Sequence, residues 1–455
     1  MRKGFLIVLV VVLAAAFAAP AMAGTDINGF YKSRAFLTNY VQYYGGDYGT
    51  TVGPPRKDAA TMAFVEQRMR LKITSGEENV KAVAQFEIDS VWGDVKGNGQ
   101  SASGGGLGTD ATNIETKNAY VWFKVPNTSL DVTVGLQWQT DSYAGVFMNV
   151  ADMAGIFVNG KADPVTYRLG WAKWSEGGNN AANRLDLERA NDYTFYLAEA
   201  KFAPAKDVKV GANLYMLQND MGRPSGYIQR VYMPGFDATF GAGPATINAW
   251  AFYQFGKYTD YADPATSDVN IGGFAADVRA DLKAGPGKAF VEALYISGGD
   301  NNSVKYKSIV DAGYTNSIFI RTDMQILLLA ADVLTGVSGL YASSPGDKTM
   351  GNGGRGLTHL AAGYTQKLSD KLTGKVGIGY LAATKLSKAD VATGYIKKDM
   401  GTEFNASLNY SIAKGLDVGV VGAYALIGDF FKTSATDAGN PDNAFDLHAR
   451  IGYVF

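Results

Sequence analysis

The stretch Ala63-Phe64-Val65-Glu66-Gln67-Arg68-Met69-Arg70-Leu71-Lys72-Ile73 changes character at almost every step. Ala63, Val65, Met69, Leu71 and Ile73 share one side. Glu66, Arg68, Arg70 and Lys72 share the other, and Gln67 is the one polar residue among the apolar set. A helix would scramble these two sets, whereas successive side chains of a strand point to opposite faces. The stretch is therefore read as a strand with one apolar and one charged face. After the short turn Ser75-Gly76-Glu77-Glu78-Asn79 the pattern resumes, with Val80, Ala82, Ala84, Phe86 and Ile88 set against Lys81, Gln85, Glu87 and Asp89.

The same alternation runs outward to both ends. In the last segment, Phe445, Leu447, Ala449, Ile451, Tyr453 and Phe455 lie on one face, opposite Asp446, His448, Arg450 and Gly452. Between these points, short turns (75–79, 126–129, 160–164, 203–207, 241–244, 283–287, 369–371, 413–415) take turns with long Gly- and Tyr-rich connections. Short turns on one side and long loops on the other are the pattern of an outer-membrane barrel. Counting gives an all-β, antiparallel up-and-down barrel of about 18 strands, with 16 as the alternative. The sixth strand, 154–160, is short and weak, and parity demands it. An even count puts both chain ends on the short-turn, periplasmic side. The connection 299–355 is too long for a plain hairpin loop and contains the apolar piece Ile326–Leu334. It is expected to fold into the mouth, with a short helix or two added strands as options.

Composition narrows the class. The 455 residues include 55 Gly, 26 Tyr, 13 Pro and no Cys, with a net charge of −1. The missing cysteines exclude disulfides, thiolate metal sites and a cysteine nucleophile. The balanced charge argues against a nucleic-acid binder. Arg2 and Lys3, the apolar run Phe5–Ala19 and Ala21-Met22-Ala23 make residues 1–23 a signal peptide, leaving 24–455 as one barrel domain. No later apolar run reaches the roughly 20 residues of a helical span. A membrane location then requires a closed barrel. Trp92, Trp138, Tyr253, Phe255, Tyr380 and Tyr424 fall toward the long-loop ends, with Tyr410 and Tyr453 toward the short turns. That placement suits two interfacial girdles better than the core of a soluble sandwich.

The terminal Phe455, with Tyr453 on the same face, resembles the assembly signal of Gram-negative outer-membrane barrels. With the signal peptide and the strand pattern, the chain resembles a general bacterial porin. The glycine-rich composition is similar to porins of sulfate- and metal-reducing proteobacteria. The resemblance is sharpest at Asn118-Ala119-Tyr120-Val121-Trp122-Phe123 and Val132-Thr133-Val134-Gly135-Leu136-Gln137-Trp138, which resemble the strand pair before the third porin loop. That loop would be 140–153. It lacks the Pro-Glu-Phe tip of many enterobacterial porins. The family implies a homotrimer in outer-membrane lipid, recognition of the last strand by the barrel-assembly machinery, and passive diffusion of ions and small hydrophilic solutes. No cofactor, metal or nucleic acid is implied.

A barrel this wide leaves an aqueous lumen, so its polar side lines a channel. Lys32, Arg34, Arg68, Arg70, Lys72 and Arg450 are expected to form a basic patch on one wall, with Arg168 as an addition. Asp141 and Asp152 in the third loop would face it and set a transverse field. The plainer reading makes these solvated lumen charges, balanced by Glu66, Glu87, Asp89, Asp277, Asp281 and Glu292. A substrate-specific channel for a sugar, organic acid or aromatic solute is the second class, with Phe30, Phe36, Tyr120 and Trp174 as a greasy track. A plugged or structural barrel is the third. Only His359 and His448 could serve an enzyme, and neither has a sequence partner that suggests catalysis.

Overall fold

The structure, a computed structural model, describes residues 24–42, 51–52, 57–58, 60–93, 105–106, 114–149, 151–175, 192–221, 227–260, 268–299, 305–312, 319–321, 323–328, 350–392, 394–395, 397–432 and 441–455. The signal-peptide segment and its cleavage point lie outside them.

Eighteen antiparallel strands close into one barrel. They are β1 (Gly24–Thr38), β2 (Met62–Gly76), β3 (Val80–Val91), β4 (Ile114–Lys124), β5 (Asp131–Gln139) and β6 (Ala151–Ala162). Next come β7 (Val165–Ser175), β8 (Tyr193–Ala205), β9 (Val208–Asn219), β10 (Tyr227–Ala242), β11 (Ala245–Asp260) and β12 (Val269–Ala284). The set ends with β13 (Gly287–Ile296), β14 (Leu357–Lys367), β15 (Leu372–Ala383), β16 (Asp399–Ala413), β17 (Leu416–Ile427) and β18 (Ala444–Val454). Each strand pairs with its sequence neighbours. The ring closes where β18 meets β1, with Arg450 opposite Arg34 and Tyr453 opposite Tyr31. At that seam Gly29 N–H donates to the Phe455 carbonyl at 2.9 Å, and Phe455 N–H donates back to Gly29 at 3.1 Å.

The tight turns demand particular residues. Asn127 and Gly243 hold φ near +60°, a left-handed conformation that Asn and Gly tolerate best. The expected turns all lie at one end of the barrel. Strand six differs from its reading, since it is 12 residues long rather than a weak fragment. Its inward residues Ala151, Met153 and Phe157 are apolar and buried, so the alternation that should have marked it is erased. Segment 299–355 contributes no barrel strand among the described residues. Lys305–Tyr306 makes a two-residue parallel pairing with β12, and Asn352–Gly354 forms one 3-10 turn.

Burial runs opposite to that of a soluble protein. Leu169, Phe236, Val278, Val291, Val376, Leu408 and Leu426 are exposed on the outside. Glu66, Gln254, His359 and Glu403 are fully buried on the inside. Such an apolar exterior is stable only against lipid. Aromatics crowd its two rims. Phe274 stacks on Tyr295 at 5.2 Å and Tyr232 on Phe255 at 5.4 Å near the long loops. Tyr453 stacks on Phe455 at 5.8 Å near the short turns, where Phe202, Phe240 and Tyr410 are also exposed.

Candidate functional site

Strand register carries one inner face all the way round the lumen. Residues directly opposite in an antiparallel pair point to the same side. Arg450, Arg34 and Glu66 are thus neighbours across β18, β1 and β2, and Arg68 with Asp89 and Arg70 with Glu87 continue into β3. The geometry turns these neighbours into ion pairs. Arg34 meets Glu66 at 2.9 Å. Arg68 donates to Asp89 at 2.7 Å and approaches Glu87 at 3.2 Å. Arg70 donates to the same Glu87. Lys117 joins Glu87 at 3.6 Å to Asp152 at 2.8 Å.

The expected basic patch is therefore a ladder of alternating charges on β1–β4. Lys32 lies opposite Arg68, and the Phe30 ring sits 5.1 Å from its ammonium and 5.7 Å from the Arg70 guanidinium. Arg450 is exposed and reaches Asn409 at 3.5 Å. Arg168 stands apart on β7, held by Glu199 at 2.7 Å, Gln139 at 3.0 Å and the Thr140 carbonyl at 3.2 Å. It braces the root of the third loop instead of adding to the ladder. Below the ladder lies a recess of about 630 Å³, lined by Arg70, Lys72, Lys81 and Lys117 together with Tyr120 and Trp122. Asp152 is the one carboxylate in that lining. This part of the lumen is cationic.

The third loop turns to the other wall. The expectation that Asp141 faces the basic patch is corrected by its hydrogen bonds. Its carboxylate accepts backbone N–H groups from Tyr143 (2.6 Å), Gly145 (2.8 Å), Phe147 (2.8 Å) and Met148 (2.6 Å). Asp141 thus folds its own loop. Burial pushes its carboxyl up to about 6, against the opposing pull of those four donors. The loop then lays Tyr143 on Phe252 (4.7 Å), Tyr215 (5.5 Å) and Trp250 (5.6 Å). Phe147 packs near Tyr215 (5.7 Å) and Phe195 (5.8 Å). Gly235 makes room here, because a Cβ would strike the Tyr143 hydroxyl and come within 2.7 Å of Phe252. Burial drives the Tyr143 hydroxyl far above its usual range.

The long connection after β13 covers the third loop and crosses the lumen. Ala312 N–H donates to Phe147 O and Ile320 N–H to Ala144 O, both at 2.9 Å. Val310 exchanges two hydrogen bonds of 2.7 Å with Gln254 on β11. Arg321 pairs with Asp277 on β12 at 2.8 Å. On the far side, Glu403 of β16 accepts consecutive N–H groups from Gln325 (2.5 Å), Ile326 (3.0 Å) and Leu327 (2.9 Å). Tyr40, just beyond β1, closes the span with a 3.1 Å bond to the Gln325 carbonyl. Met324 rests on Gly379, where a Cβ would lie 2.7 Å from its sulfur.

Sequence reasoning expected 299–355 to fold into the mouth but missed Glu403 and Tyr143, and with them the contacts that carry the segment across. A signal was present. Phe195-x-Leu197, Tyr215-x-Leu217 and Trp250-x-Phe252 put apolar residues on the inner face, where an open lumen would want polar ones. The proposed greasy track is split. Trp174 lies beneath the third loop beside Phe195 (5.2 Å), Phe36 stacks between Phe64 (4.9 Å) and His448 (4.8 Å), and Tyr120 belongs to the cationic recess. His359 is buried, with its Nδ1 3.3 Å from the Tyr380 carbonyl, and His448 bonds Asp446 at 2.7 Å.

No protein-family model and no curated protein matches the sequence. The fold has solved counterparts. A BenF-like porin from Pseudomonas fluorescens Pf-5 superposes with a TM-score of 0.53 at 12% identity, over 95% of this chain and 98% of that one. Acinetobacter baumannii OccAB4 gives 0.52 at 11%, over 96% and 100%. The outer membrane protein opdK from Pseudomonas aeruginosa gives 0.50 at 13%, over 95% and 98%. At such identities the likeness is one of fold. It defines the class as a transmembrane β-barrel of the outer-membrane porin type.

Proposed function

We propose that this chain is a channel in a Gram-negative outer membrane that lets ions and small hydrophilic solutes diffuse through, with a preference for anions. The observation that supports it most is the wet wall of the lumen. There the inner loops leave a recess in which Glu87 and Asp152 match Arg70 and Lys117, and Lys72 and Lys81 remain in excess. A cationic lining raises the local concentration of anions and speeds their entry. No enzymatic step is assigned. His359 meets a backbone carbonyl and the Phe319 ring, and His448 meets a carboxylate and the Phe36 ring.

A second reading, a solute-specific channel, is favoured by the two loops that cross the lumen. The porin likeness accommodates it equally well. Planar-bilayer recording of the refolded chain separates the readings. Step conductance, a reversal potential of anionic sign in a salt gradient and no block by added solutes support the general channel. Block by one solute at low concentration supports the specific one. Absence of conductance removes both and leaves a plugged barrel. The proposal includes a homotrimer, checked by heat-modifiable gel mobility. It also includes an assembly role for Tyr453 and Phe455, which stack on the outer face of the closing strand. Kinship with porins of sulfate- and metal-reducing bacteria remains part of the proposal.

A further inference from the structure

The short-turn end of the lumen carries a charge pattern that the channel reading alone does not require. Lys81, Lys201, Lys209, Lys283, Lys288 and Lys367 all lie on exposed inner-face positions at or near that rim. Lys283 and Lys288 stand directly opposite each other across the β12–β13 hairpin. Like charges in directly opposed positions are destabilising. Lys201 faces Gly211 across β8 and β9, one inward step from Lys209. Among the described residues, none of the six makes an ion pair. The rim lysines that do are Lys124, with Glu78 at 3.2 Å, and Lys161, with Asp163 at 2.8 Å.

The nearest inner-face carboxylates keep their charge but turn to other donors. Asp131 accepts from Trp122 and Asn159, Asp237 from Asn213, and Asp281 from Arg279. A second recess, of about 280 Å³, opens at the same rim, where Lys161, Arg168 and Lys201 face Asp131 and Glu199. Toward the long loops the inner-face charges are paired instead. Glu66 meets Arg34, Glu87 meets Arg68, Arg70 and Lys117, and Asp220 meets Arg230. Lysines without an ion pair among the described residues therefore gather at the short-turn rim.

We propose that the short-turn, periplasmic mouth is a binding collar for polyvalent anions, with the facing Lys283 and Lys288 and the Lys201–Lys209 pair as its two strongest points. A multiply charged anion bridges neighbouring ammonium groups and relieves a repulsion that the strands otherwise carry unrelieved. The collar holds such solutes at the inner end and makes the current–voltage curve asymmetric. The inference rests on the channel reading, but its first test does not.

Inorganic tripolyphosphate is titrated calorimetrically into the detergent-solubilised full chain. The same titration uses the Lys201→Gln, Lys209→Gln, Lys283→Gln, Lys288→Gln variant, whose folding is checked by gel mobility before and after heating. Binding that weakens by about tenfold or more in the variant supports the collar. Absent binding, or equal binding by both proteins, overturns it. In oriented bilayers, tripolyphosphate should block from the periplasmic side at a lower concentration than from the other, and the variant should lose that difference. Equal block from both sides overturns the collar while leaving the channel intact. Binding without any conductance overturns the channel reading and leaves the collar.

Discussion

The inner faces of β2 and β9 occupy equivalent positions on opposite walls of one barrel, yet they meet different neighbours. On β2, Glu66 is buried against Arg34, while Arg68 and Arg70 meet charges from the adjoining strands and stay partly exposed to the lumen. On β9, Tyr215 and Leu217 are almost completely buried under the third loop. The difference teaches that an inward position in a barrel is not polar by rule. It takes the chemistry of whatever fills that side of the lumen. Where water fills it, strands alternate. Where loops fill it, both faces become apolar and the alternation disappears.

The contrast is broken most severely at Asp141. Asp141→Ala leaves four buried N–H groups without an acceptor, and each such loss costs about 1–3 kcal/mol. The third loop should detach, both walls should then face water, and single-channel conductance should rise severalfold. Unchanged conductance in a folded variant would mean that the loop is held by its aromatics alone.

Next in size is one substitution placed on the two sides of the wall. Leu217→Ala opens a cavity under the loops and should cost about 2–5 kcal/mol in urea unfolding from lipid. Leu408→Ala, on the exposed outer face, should cost about 2 kcal/mol, the transfer of three carbons alone, because lipid fills the gap and no cavity remains. Equal losses would show that the covered wall is not packed as a core.

A subtler effect is expected at the ladder. Arg68→Ala with Arg70→Ala leaves Asp89 and Glu87 without their arginines. The reversal potential in a salt gradient should move toward cations, with little change in conductance. A stationary reversal potential would detach selectivity from this wall.

The smallest effect is a dependence on pH. The folded loop holds the Asp141 carboxyl near 6, above its value of about 4 in an open loop. The closed loop therefore binds the proton more tightly. Closure is favoured at acid pH, and that advantage fades as pH rises through 6. Conductance should drop modestly between pH 7 and pH 5, and Asp141→Asn should abolish the drop.

Much of this molecule was written locally. The period-two pattern of Ala63–Ile73 and its repeats set the barrel, the lipid-facing side and the end that carries the tight turns, and left the count at 18 or 16, with strand six supplied by parity alone. Those features follow from side chains alternating about a single strand, so a few consecutive residues suffice to show them. The assignment of Arg34, Arg68 and Arg70 to the lumen was legible for the same reason. Their partners were not, because Glu66, Glu87 and Asp89 face them only once register is fixed. Nor did the sequence announce that Asp141 would turn onto its own backbone, or that Glu403 would hold residues 325–327 across the lumen. Such contacts join segments far apart in the chain and depend on where barrel closure places them. Strand pattern decided which way each side chain points, and tertiary structure decided what it meets there.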